Sequence, residues 1–257
     1  MWLKYIKPII LSLIIYGLLQ GAILAINKTA PYNYNFYIGL AFLVVVLGIL
    51  WTYQSCAQDR VCRAHTRLIV FAIPPLFLFW GLAGFLYYNT NFYLQQIFLA
   101  LSLGAFFVIF SEIFSNLTHQ LHDTVKFLTI FLLYDSILET VRYFYLSRSL
   151  VLVFVFLVSM LCFHHLFWRL NALKIFYSTI GLIISLAIGL FALGVAFIWP
   201  LASYFLLAVM TTSLYYVAWG ILHHHIDCCL TKKVVLDYLM IGLFVFLTTL
   251  GLVFITF

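Results

Sequence analysis

The sequence predicts an all-α, polytopic integral membrane protein: a helical bundle of about nine transmembrane helices forming a single domain over 1–257. Three observations predict it. First, 66% of the 257 residues are apolar and only 8% are charged, whereas a soluble domain carries roughly a quarter charged residues. Second, the apolar residues form long runs that do not alternate, each near the ~20 residues needed to cross ~30 Å of hydrocarbon. Third, the connections are short, leaving no extramembrane segment large enough to fold alone. In lipid the backbone must satisfy its own hydrogen bonds, which leaves helices or a closed barrel. The absence of a two-residue alternation excludes the barrel.

The runs are 8–26, 36–54, 68–88, 97–115, 125–146, 149–168, 175–198, 201–222 and 234–256. Lys4 and Lys7 precede the first, as in a secretory signal, but Ile23 and Ala25 make a poor cleavage site, so a retained helix is expected. That run carries Gly17, Gly21 and Ala25 at every fourth position, and the seventh carries Gly181, Ser185 and Gly189. Such stripes let helix backbones approach closely, and they mark packing within the chain or helix–helix partners outside it. Pro74 and Pro75 interrupt the third run, where two lost backbone donors predict a kink. Trp51, Tyr53, Tyr87, Tyr88, Trp168 and Trp199 sit near run ends, the pattern of an interfacial aromatic belt.

The fifth run carries Asp135, Glu139 and Arg142, so its crossing is decided by charge asymmetry. If it spans, and the N-terminus is cytoplasmic, then Lys4, Lys7, Arg60, Arg63, Arg67, Lys126, Arg169, Lys174, Lys232 and Lys233 all lie inside. Only Lys28, Arg142 and Arg148 then lie outside. If it does not span, Arg169, Lys174, Lys232 and Lys233 move outside. The first arrangement obeys the positive-inside rule far better. A multi-pass protein with its N-terminus cytoplasmic and its C-terminus on the opposite side is therefore expected. The net charge of +6 is then a topology signal and not the mark of a nucleic-acid partner.

Two polar constellations carry chemistry. Asp135, Glu139 and Arg142 recur at i, i+4 and i+7, on one helical face. Asp135 lies roughly 16 Å above the start of its run at 1.5 Å per residue, near the midplane. An acid at that depth costs several kcal/mol and marks a proton or cation path, or a hydrogen-bonded packing element. Thr211, Thr212, Ser213 and Gln20 are candidate polar neighbours.

The second constellation is one-sided. Under the nine-span topology all 8 histidines and 5 cysteines fall at the cytoplasmic face. A metal site would draw on His119 and His122, one of His164 and His165, and one of His223, His224 and His225, with a carboxylate from Glu112, Asp123 or Asp227. Imidazole, thiolate and carboxylate suit zinc, iron or copper. No Cys-x-x-Cys pair supports a structural zinc site, and His223-His224-His225 spreads around a helix end. The sequence holds no nucleotide-binding loop, no Ser-His-Asp signature and no haem motif, and it assigns no catalytic residue. Three roles follow: transport or channel-like conduction through the acidic row, a membrane-embedded metalloenzyme or metal-binding protein, or a non-catalytic scaffold subunit.

Overall fold

The computed structural model describes residues 3–27, 31–57, 68–112, 119–169, 175–198 and 203–255, with side chains described over 6–26, 33–54, 72–111, 124–167, 177–198 and 203–252. Nine helices and no strand occur among the described residues: α1 (Leu3–Asn27), α2 (Pro31–Ala57), α3 (Leu68–Tyr88), α4 (Phe92–Glu112), α5 (His119–Tyr143), α6 (Ser149–Arg169), α7 (Ile175–Ile198), α8 (Tyr204–Ile226) and α9 (Lys232–Ile255). Seven contain a stretch long and apolar enough to cross a membrane. Of the other two, α3 has its apolar stretch over Ala72–Tyr88 and runs through Pro74 and Pro75. The other, α5, has the length, at 25 residues, but carries Lys126, Asp135, Glu139 and Arg142. The chain is a multi-pass helical membrane protein.

Local chemistry sets several helix ends. Helix α4 starts at Phe92 because Asn91 caps it: the Asn91 Oδ1 accepts from the N–H groups of Tyr93 (3.0 Å) and Leu94 (3.3 Å). At the end of α5 the Leu146 N–H reaches the Val141 carbonyl (2.9 Å) and the Tyr145 N–H the Arg142 carbonyl (3.1 Å). That is a Schellman closure with Tyr145 left-handed at φ 52°. Helix α8 ends the same way. The Cys229 N–H reaches the His224 carbonyl (2.9 Å), the Cys228 N–H the His225 carbonyl (3.2 Å), and Cys228 is left-handed at φ 57°.

The chain divides into two compact units, Met1–Leu133 and Tyr134–Phe257. In the first, α1 packs along α2 and α4, and α3 packs on α2 and α4. Glycine permits the closest approaches. A Cβ on Gly48 would lie 3.1 Å from the Phe110 ring and 3.5 Å from Leu11, so α2, α4 and α1 meet at that level. Gly21 faces the Tyr37 ring, while Gly17 meets nothing within 4 Å. Gly81 is the tightest position against backbone: a Cβ there would stand 2.8 Å from the Leu133 nitrogen and 2.9 Å from the Leu132 carbonyl carbon. Here α3 crosses α5. Phe85, Phe98 and Phe131 link α3, α4 and α5 through ring contacts of 4.6 and 5.5 Å. The belt is visible at one end of this unit, where the Lys7 ammonium lies 4.5 Å from the centre of the Trp51 ring.

In the second unit, α6 packs along α7 and α8 along α9, with α7 touching α8. The stripe on α7 serves the first pair. A Cβ on Gly181 would lie 2.6 Å from the Phe167 ring, and one on Gly189 3.0 Å from the Leu152 carbonyl oxygen. Ser185 is buried between them and donates to the Gly181 carbonyl (2.6 Å). Gly21, Gly181, Ser185 and Gly189 are thus used inside the chain. The α8–α9 seam is made by Gly220 against Tyr238 and Gly242 against Val217. Beyond that seam α9 is almost bare, with 11% of its apolar stretch buried.

Candidate functional site

The fifth helix brings the acidic row together as its spacing requires, and burial grades it. Asp135 is 4% exposed, Glu139 is half-buried and Arg142 is exposed. From Val125, where the polar first turns end, Asp135 lies roughly 15 Å along the axis, and roughly 12 Å short of Tyr143. The acid therefore sits near the middle of the hydrocarbon-length part of α5, with Glu139 and Arg142 leading from it toward one end. Every residue from Ile130 to Ser136 is buried, so all faces of the helix are covered at this level.

The rotation of α5 within the second unit is pinned on both sides of the acid. Tyr134 is fully buried, and its hydroxyl lies 2.7 Å from the Ser159 Oγ on α6. Ser159 donates its own proton to the Val155 carbonyl (2.6 Å), so Tyr134 is the donor in the pair. Two turns on, the Arg142 guanidinium lies 5.3 Å from the centre of the Tyr204 ring at the start of α8. Arg142 also stands in the last turn of α5, where a cation complements the helix dipole. Thr140 donates to the Ser136 carbonyl (2.6 Å) on the same helix. On α8, Thr211 is buried and donates to the Leu207 carbonyl (2.9 Å), and Ser213 donates to that of Met210 (2.7 Å). The Thr212 hydroxyl is buried and has no hydrogen-bond partner among the described residues.

Among the described residues the imidazoles are not brought together into one group. The side chains of His119 and His122 lie outside the described residues, as do those of Glu112 and Asp123 and the residues Cys62 and His65. On α6, His165 is buried and its neighbour His164 exposed, because adjacent helical positions point about 100° apart. At the end of α8 each imidazole has its own engagement. His223 stacks on Trp219 at 5.0 Å and 11°, with its Nε2 3.6 Å from the Asp227 Oδ2. His224 donates from Nδ1 to the Gly220 carbonyl (2.9 Å). His225 meets the Tyr177 ring edge-on at 6.3 Å. Among the described residues no three His, Cys, Asp or Glu side chains form a metal-binding group. A cleft of about 320 Å³ opens between α6 and α7, with His164 and Ser178 as its polar lining; Asp135 does not line it.

Two parts of this arrangement carry little sequence signal. Ser159 is one hydroxyl in an apolar run, and only its depth relative to Tyr134 would have paired them. Gly81 belongs to no small-residue stripe. Comparison of the chain with protein-family models, curated proteins and solved structures finds no match.

Proposed function

We propose that the chain conducts protons or a small cation across a membrane, with Asp135 as the exchanging group and Glu139 as its relay. The observation that supports this is the burial gradient along one face of α5, from Asp135 at 4% exposure through half-buried Glu139 to exposed Arg142. A carboxyl group in hydrocarbon is costly, and it persists where it pairs, binds or exchanges. The charged neighbour one turn from Asp135 is another acid, so its own helix offers it no cation at that distance. Glu139 has Arg142 three residues on, which holds a charge at the exposed end and leaves Asp135 as the deep station. The basic residues orient the chain with its N-terminus cytoplasmic and its C-terminus opposite. The row then opens to the non-cytoplasmic side.

The test is flux. Purified protein in liposomes, loaded with a pH-sensitive dye and challenged with a proton gradient, is expected to dissipate the gradient. Asp135→Asn lowers the rate at least tenfold while the melting temperature in detergent holds. Glu139→Gln slows it less. A rate unchanged by Asp135→Asn, or a wild-type protein that passes neither protons nor alkali cations, overturns the reading.

A further inference from the structure

We infer that Cys228 and Cys229 form a two-thiolate site for a soft monovalent metal ion, copper(I) being the type. The two thiols are adjacent, exposed and free of any disulfide. Their backbone is pinned, because both N–H groups are consumed in closing α8 on the His224 and His225 carbonyls. Their sulfurs are not pinned: the Cys229 Sγ lies 3.3 Å from the Asp227 carbonyl and the Cys228 Sγ 3.8 Å from that of Ile226, contacts of weak thiol donors. Cys228 also occupies the left-handed closing position, at φ 57°, which glycine fills without cost.

Coordination number selects the ion. Zinc takes four ligands in a structural site, and among the described residues not even three His, Cys, Asp or Glu side chains come together. The neighbouring imidazoles keep their own contacts, with Trp219 and Asp227, with the Gly220 carbonyl and with Tyr177, and none joins the two thiols in a group of three. Copper(I) is satisfied by two thiolates, and thiolate is the ligand class that selects it. Binding releases two protons, one from each thiol, and leaves a complex of net charge −1. Lys232 and Lys233, both exposed, stand three to five residues on. They open α9, so two cations and a helix N-terminus follow the two thiols closely in the chain.

The experiment uses the full chain in mild detergent, without oxygen, titrated with copper(I) held by a chromophoric copper(I) chelator. The wild type is expected to withdraw one equivalent more than Cys228→Ser/Cys229→Ser. Each single serine variant loses that whole equivalent, because neither sulfur alone competes with the chelator, and Cys162→Ser keeps it. Unchanged melting temperatures certify the fold of each variant. Equal copper(I) uptake by the wild type and the double variant, or full uptake by either single variant, overturns the site.

Discussion

Helices α5 and α9 stand at opposite ends of a scale. Helix α5 carries five charged residues, Asp123, Lys126, Asp135, Glu139 and Arg142, and is buried on every face from Ile130 to Ser136. Helix α9 is apolar from Tyr238 onward, apart from Thr248 and Thr249, and leaves Leu239, Met240, Leu243, Phe244 and Leu247 bare. In water that distribution would be upside down. In a bilayer an exposed leucine is solvated by lipid at no cost, while a charged group is driven to the interior. The helix least suited to lipid by composition is the one whose residues around its deep acid are all buried.

The comparison breaks most readily where α5 is crossed. Gly81 brings α3 within 2.8 Å of the α5 backbone for any added Cβ, and backbone cannot step aside as a flexible side chain can. Gly81→Val should destabilise by about 3 kcal/mol or more, at or beyond the upper end of overpacking costs. Gly251→Val on α9 meets open space and should move the midpoint little. Thermal unfolding of the two variants in one detergent measures the contrast. Equal losses would mean that α9 is packed in some way its exposure does not reveal.

Reversing the polarity of α9 comes next. Phe244 is 69% exposed and roughly 18 Å from the start of its helix. Phe244→Asp puts a carboxylate into lipid, at about 3 kcal/mol on the insertion scale, and should cut the membrane-integrated yield several-fold. Phe244→Leu should not. A normal yield of Phe244→Asp would show that this face of α9 is not in hydrocarbon.

How much of this was legible follows from what each feature depends on. The nine helices of the described residues are all legible as apolar runs, because in lipid an unbroken run must be helical to satisfy its own backbone. The ends are less legible. The apolar run stops at Leu222, yet α8 runs to Ile226 and takes His223, His224 and His225 into its last turn, since hydropathy falls there without any helix-breaking residue. Helix α4 begins five residues before the expected 97, on the Asn91 cap. The acidic row could be read because i, i+4, i+7 spacing is a property of α5 alone. Convergence of the imidazoles is not legible from spacing, because lying at one expected face of the membrane does not imply a shared centre. In the described residues those on α8 are each held by a different neighbour.

The smallest effect tests the polar interior most finely. Tyr134 donates to Ser159, and Ser159 donates onward to the Val155 carbonyl. Tyr134→Phe removes one bond and leaves Ser159 satisfied, so it should cost about 1 kcal/mol. Ser159→Ala leaves a fully buried tyrosine hydroxyl with no acceptor, and should cost more, up to about 3 kcal/mol. With both changes the orphaned hydroxyl is gone, so the double variant should be no less stable than Ser159→Ala alone. Unfolding midpoints of the three variants close this cycle. Strict additivity would mean that the two hydroxyls do not depend on one another, and that the rotation of α5 beside Asp135 is set by packing of its apolar side chains alone.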